Sequence, residues 1–116
     1  DFSAAVNIRR ATGKSRREIY ARLQAVGIDR QTAQKPIKEY SGGMKRRVAI
    51  VRRVVANFDI LVLDEPFTGI DRDTKKQCAD YINKNLNGRT LLLITHSPDE
   101  ARLLNRNSVN FENLIV

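Results

Sequence analysis

The sequence predicts an α/β fold in which a helical portion, residues 1–58, precedes part of a parallel sheet, residues 59–116. In the first portion, apolar residues recur at helical spacing. In the second, two aliphatic runs, 60–63 and 91–94, have the length of buried strands. Because a helical pattern separates these two runs, we expect them to pair in parallel as a βαβ unit.

Composition limits the class of protein. The chain has 116 residues, 41% of them hydrophobic, which suits one small domain or a piece of a larger one. No apolar run approaches the roughly 20 residues that cross a bilayer. A single cysteine and a single histidine exclude an internal disulfide and a zinc cage. We therefore expect a protein of the reducing cytoplasm.

The net charge of +8 is unevenly distributed. Residues 1–58 contain 14 Lys and Arg against 4 Asp and Glu, whereas residues 59–116 contain 7 against 9. The basic portion suits nucleic acid, anionic lipid or nucleotide phosphates, and equally well a set of solvated helix faces.

Local signals predict the helices and loops of the first portion. Ser15 begins a capping box for a helix that ends at Gly27. Residues 29–39 are polar and contain a proline, which predicts a connector or an irregular helix. Ser41 can cap a further helix that continues to Ala56.

The second portion alternates strands and helices. The first strand ends at Asp64, and a helix is expected from Asp71 to Leu86 with a stop at Gly88. The second strand covers 90–95 and leads into a short helix that reaches Leu104. We expect the first strand to be buried, and residues 108–116 to form a weak hairpin.

Polar residues follow both strands, at the edge of a parallel sheet where α/β proteins bind ligands. The first strand delivers Asp64 and Glu65, and the second delivers Thr95 and His96. Adjacent acidic residues can divide the tasks of holding Mg²⁺ and orienting a water, and a histidine beside them can contact a terminal phosphate. The alternative is that the acidic pair begins a solvated loop and that His96 caps a turn.

Ser41-Gly42-Gly43 at a helix start is a second candidate site. Two residues without Cβ allow a phosphate to approach the backbone, where free N–H groups attract anions. The alternative is an ordinary turn that Ser41 caps. Gly13-Lys14-Ser15 looks like the end of a phosphate-binding loop, but Ile8 stands where that loop requires glycine, so we reject this interpretation.

The order of these segments resembles the ABC ATPase family over nearly the whole chain. Residues 40–47 resemble its signature and helix, 60–66 its Walker B strand, Gly69-Ile70-Asp71 its D-loop and Thr95-His96 its switch-histidine loop. The resemblance implies a P-loop NTPase-like sheet with a helical subdomain. It also implies that the chain is the C-terminal half of the domain, with the Walker A region expected before Asp1.

The resemblance also implies the role of each residue, with ATP and Mg²⁺ as cofactors. Asp64 would hold Mg²⁺ through water, Glu65 would deprotonate the attacking water, and His96 would sense the γ-phosphate. The signature and D-loop residues would complete the site of a second subunit. These residues are Ser41, Gly42, Gly43 and Met44 in the signature, and Gly69 and Asp71 in the D-loop.

Three residues depart from the family pattern: Tyr40 replaces leucine, Met44 replaces glutamine and Phe58 replaces proline. The resemblance implies a second ATPase subunit, identical or different, and a transmembrane permease that holds the protein at the inner face of the cell membrane. No nucleic acid is expected. The 116-residue chain by itself is expected to be inactive. Alternatives are an ABC ATPase of DNA repair or chromosome organisation, and a non-hydrolytic binding module.

Overall fold

The computed structural model describes residues 2–104. In this range a helical portion precedes two strands that alternate with helices, and the predicted α/β class with a parallel sheet is confirmed. The hairpin predicted for 108–116 lies outside the described residues. The elements are α1 Ala4–Thr12, α2 Arg16–Ala25, α3 Arg30–Ala33, a 3₁₀ turn Ile37–Glu39, α4 Gly42–Val55, β1 Ile60–Asp64, α5 Arg72–Asn85, β2 Thr90–Ile94 and α6 Pro98–Leu103.

Three predicted helix starts are capped by side chains. The Ser15 hydroxyl accepts a hydrogen bond from the Glu18 amide at 3.2 Å, and the Ser41 hydroxyl accepts one from the Met44 amide at 3.1 Å. Asp71 accepts one from the Thr74 amide at 2.8 Å. Each cap satisfies a backbone donor that has no partner inside its helix, so these helices begin where the sequence predicts.

Helix α1 was not predicted. Ser3 caps this helix, and the residues on its buried side are Ala4, Ala5 and Ile8. Exposed arginines occupy its last turn. The helix packs against α2 and α4. Because small residues bury little apolar surface, the hydrophobic pattern of residues 1–15 is weak, and the charged residues dominate it.

One hydrophobic core joins the helical portion to the sheet. Helix α4 contributes a face that includes the predicted Val48, Val51 and Val55, and α5 contributes the predicted stripe of Cys78, Ile82 and Leu86. Tyr40 is also buried, and its hydroxyl donates a 2.6 Å hydrogen bond to the Thr32 carbonyl. The phenol that replaces leucine in the family pattern is therefore accommodated with its polar atom satisfied.

The prediction that the first strand, β1, is fully buried is wrong. β1 and β2 pair in parallel from Ile60 opposite Thr90 to Asp64 opposite Ile94. Leu61 and Leu63 face the core, but Val62 and Leu92 on the other face are exposed. Continuous aliphatic strands are typical of sheets that are packed on both faces. In the described part of the chain, however, the core packs against only one face of the sheet.

Arg89 connects the ends of two helices. Its guanidinium donates to the carbonyls of Val54 and Ala56 at the end of α4, and to those of Asn85 and Leu86 at the end of α5, at 2.8 to 2.9 Å. The last carbonyls of a helix have no partner inside it, so one side chain satisfies both ends.

Among residues 2–104, no helix has the length and apolar composition needed to cross a bilayer.

Candidate functional site

The parallel pairing of β1 and β2 brings their carboxyl ends to the same edge of the sheet. Asp64 is the last residue of β1 and is exposed. The next amide, that of Glu65, donates a 2.8 Å hydrogen bond to the Ile94 carbonyl at the end of β2. The two strand ends are thus held together where the acidic pair and the Thr95-His96 segment leave the sheet.

The structure brings Glu65 and His96 together. Oε1 of Glu65 lies 3.3 Å from Nε2 of His96, although this contact lacks hydrogen-bond geometry. The Glu65 oxygen is buried and has no hydrogen-bond donor among residues 2–104, whereas the His96 side chain is 99% exposed. A buried acceptor without a donor is costly, so this oxygen is poised to accept a hydrogen bond from a water or another donor.

The backbone of Glu65 is strained. Its φ of 47° lies in the left-handed region, which costs a residue with a side chain about 1 to 2 kcal/mol. Such strain persists where the surrounding structure enforces it and often accompanies function. The conformation turns the chain sharply at the end of β1.

The residues at the strand tips fit a magnesium ion. Hard oxygen ligands suit Mg²⁺, which commonly takes one or two protein carboxylates and completes its shell with water and phosphate. Asp64 offers an exposed carboxylate beside Glu65. Within residues 2–104, no group of three or more His, Cys, Asp or Glu side chains forms a metal cage.

The glycines of the signature segment have different surroundings. A Cβ added to Gly42 would meet no atom within 4 Å, so a ligand can approach the helix start there. A Cβ on Gly43 would lie 2.7 Å from the Gly69 carbonyl oxygen. Ser41 caps α4, and Met44 packs partly buried against the core. Gly43 therefore has a packing role, and Gly42 is the more open position.

The same contact brings the signature segment to the predicted D-loop. Gly69 has a φ of 75°, a conformation that favours glycine. Both carboxylate oxygens of Asp71 accept hydrogen bonds from Thr74, at 2.8 Å from its amide and 2.9 Å from its hydroxyl. These bonds lower the pKa of Asp71 below its usual value. Asp71 thus caps α5 as an ionised side chain.

A cluster of polar residues behind His96 was not predicted from the sequence. Glu100 is buried, and its carboxylate contacts Lys75 and Thr95. The available signal was an acidic residue placed beside the apolar positions Ala101 and Leu104 of α6.

A groove of about 750 Å³ lies between the ends of α4 and α5. Its lining includes Lys14, Arg22 and Arg89, but none of the predicted site residues. The two arginines are already engaged by hydrogen bonds inside the fold, so the strand tips are the stronger candidate site.

Several known proteins are similar to this chain in sequence or in fold. The family model described as "ABC transporter" matches residues 2–68. The bicarbonate transport ATP-binding protein CmpD of Synechococcus elongatus is 40% identical over 101 residues, or 85% of this chain and 36% of that protein. The thiamine import ATP-binding protein ThiQ of Ruegeria sp. is 36% identical over 96 residues, or 81% of this chain and 41% of that protein.

Among solved structures, the ATP-binding cassette MJ0796, a dimer in a post-hydrolysis state bound to ADP and Pi, matches with a TM-score of 0.76. The match covers 88% of this chain and 49% of that one at 24% identity, and it shows a common fold.

The fold is therefore that of an ATP-binding cassette, with a short parallel sheet and a helical portion. The chain belongs to the ABC transporter family, whose model matches more than half of its residues. The resemblance to this family, noted in the sequence, is confirmed. The family match includes the segments predicted to be the signature and the Walker B strand, and it ends at Thr68, before Asp71 and His96. The chain spans about a third of the length of CmpD, 36%.

Proposed function

We propose that the polypeptide containing this chain, here called the parent polypeptide, is an ABC-type ATPase that couples ATP binding and hydrolysis to transport across a membrane. The observation that carries this proposal is the 3.3 Å contact of Glu65 with His96 at the tips of paired parallel strands. Two relatives named for bicarbonate transport and thiamine import support the transport role.

Each residue at the strand tips has a role that suits its position. Glu65 accepts a hydrogen bond from the attacking water on its buried, unpartnered oxygen and removes the water's proton. Asp64 holds Mg²⁺ through water, and the exposed imidazole of His96 donates to the γ-phosphate. Mg²⁺, bound together with ATP, would neutralise part of the negative charge on the phosphates.

We propose that the signature serves a nucleotide held mainly by a second ATPase subunit, identical or different. Ser41, Gly42, Gly43 and Met44 approach that nucleotide at the start of α4, where the backbone N–H groups of the first helical turn attract phosphate. Gly69 and Asp71 lie at the contact between the two subunits. The open surroundings of Gly42 and the dimeric state named for the structural neighbour support this proposal.

We place the parent polypeptide in the cytoplasm, at the inner face of the cell membrane and bound to a transmembrane permease. Residues 1–58 would form the helical subdomain and residues 59–116 part of the ATPase core. The transport functions named for the relatives support a permease partner.

The strongest test of the function is Glu65→Gln in the parent polypeptide. Glutamine keeps the size of the side chain but is a far weaker base, so Mg-ATP binding is expected to persist while kcat falls by about 100-fold or more. Glu39→Gln, the same change at an exposed residue, is the control and should turn over normally. Unchanged turnover in Glu65→Gln would remove Glu65 from its role.

Residues 1–116 alone are proposed to bind Mg-ATP weakly and to lack hydrolysis, because Gly13-Lys14-Ser15 is not part of a phosphate-binding loop. Calorimetry with this chain tests the proposal. A micromolar affinity for Mg-ATP would contradict it.

A further inference from the structure

Glu100 is the one charged residue counted as buried within residues 2–104, with 8% of its surface exposed. Removing a carboxylate from water is costly unless the charge is paired and hydrogen-bonded. The roles proposed above for the strand tips leave this residue unused.

Both oxygens of Glu100 have partners. Oε1 lies 3.1 Å from Nζ of Lys75 on α5, and Oε2 accepts a hydrogen bond from the Thr95 hydroxyl. The Thr95 hydroxyl in turn accepts a 3.1 Å hydrogen bond from the Ser97 amide. The carboxylate is therefore connected to the residues on both sides of His96.

Within residues 2–104, few contacts hold the His96 imidazole in place. Its side chain is 99% exposed, and its contact with Glu65 lacks hydrogen-bond geometry. The direction of the ring consequently depends on the backbone from Thr95 to Ser97, which the Thr95 hydroxyl braces through Glu100.

Lys75 extends the connection to the helix that Asp71 begins. Its ammonium pairs with Glu100, and its amide donates to the Asp71 carbonyl at 2.8 Å in the first turn of α5. The His96 turn and the helix that follows the D-loop are thus joined by one buried carboxylate.

We propose that Glu100 is a positioning residue that fixes the Thr95–Ser97 turn through the Thr95 hydroxyl and thereby holds the His96 imidazole at Glu65. This inference rests on the proposed ATPase function, because it concerns the same site. Glu100 itself contacts neither the water nor the phosphate in this account.

The test uses four variants of the parent polypeptide. Thr95→Val keeps the shape of the side chain but removes its hydroxyl, and Glu100→Leu removes the acceptor. Both should lower kcat by roughly 10-fold and change KM for Mg-ATP by less than about two-fold, because ground-state binding remains while the ring is misplaced. Thr95→Ser restores the hydroxyl and should restore turnover. Asp99→Asn, on the exposed side of α6, is the matched control and should behave normally.

Two further measurements separate positioning from stability. The ring resonance of His96, assigned by its loss in His96→Ala, should shift in Thr95→Val without nucleotide and keep its position in Thr95→Ser. The double variant Thr95→Val/Glu100→Leu should be no slower than the slower single variant, because both changes break one connection. An unshifted resonance with normal kcat in Thr95→Val, or additive losses in the double variant, would overturn the inference.

Failure of the inference and failure of the function are distinguishable. If Glu65→Gln abolishes turnover but Thr95→Val and Glu100→Leu do not lower it, the function stands and the positioning role is wrong. If Glu65→Gln turns over normally, the proposed function is wrong and the inference fails with it.

Discussion

Gly43 at the start of α4 packs directly against Gly69, whose carbonyl oxygen would lie 2.7 Å from any Cβ at position 43. The contact joins two segments separated along the chain by α4 and β1. Position 43 therefore requires glycine for packing, whether or not a phosphate binds nearby.

This contact predicts opposite effects for two neighbouring glycines. Gly43→Ala should lower the free energy of unfolding by about 1 to 3 kcal/mol, because backbone must move to admit the methyl group. Gly42→Ala has open space and should raise it by up to about 1 kcal/mol, since alanine favours the helix. Urea unfolding of both variants measures the difference, and equal effects would contradict the close packing.

The strain at Glu65 predicts a gain in stability when its side chain is removed. Glu65→Gly should raise the free energy of unfolding by about 1 kcal/mol, because glycine adopts positive φ without steric cost. It also removes the buried oxygen that lacks a donor. Glu39→Gly is the control and should lose roughly 0.5 to 1 kcal/mol. The prediction fails if thermal unfolding shows a loss in both variants.

Arg89 is expected to be a major source of stability. Arg89→Met should lower the free energy of unfolding by about 2 to 4 kcal/mol, because carbonyls at the ends of α4 and α5 lose a charged donor. Arg89→Lys should recover only part of this loss, since an ammonium lacks the planar fork. Arg53→Met, at an exposed position of α4, serves as the control and should change stability by less than about 0.5 kcal/mol.

The buried thiol of Cys78 should make the free energy of unfolding fall in alkaline solution. Burial raises the pKa of its thiol from 9.0 to about 11, so from pH 9 to 11 the unfolded chain releases a proton that the folded chain keeps. The free energy of unfolding therefore falls as pH rises in this window, by up to about 1.4 kcal/mol per pH unit from this group.

The check compares Cys78→Ala with the unsubstituted protein by urea unfolding at several pH values. The slope between pH 9 and 11 should be shallower in the variant, although Tyr40 and Tyr81, whose pKa values burial also raises, will leave part of it. Identical slopes would show that the thiol is not held protonated.

Features that depend on neighbouring residues in the sequence could be predicted. The caps at Ser15, Ser41 and Asp71 arise within three residues of their partners, and each was predicted. The approach of Glu65 to His96 follows from a general property of parallel pairing, which places strand ends at one edge. This part of the candidate site therefore required no knowledge of packing.

Features that depend on packing could not be predicted. The contact of Glu100 with Lys75 spans 25 residues and depends on how α6 lies against α5. The pairing of Gly43 with Gly69 depends on the position of α4 over the end of β1, and the exposure of Val62 on what covers the sheet. No pattern in neighbouring residues records these relationships.

The sheet with one covered face carries the proposed chemistry, whereas the helices around Ile19, Leu23 and Val51 have no exposed surface at those positions. Protection of backbone amides against hydrogen exchange reflects such differences in cover. Deuterium uptake should accordingly be slow in α2 and α4 and faster in β2. If the proposed function holds, the strand that leads to His96 is thus expected to open more readily than the helices packed around the core.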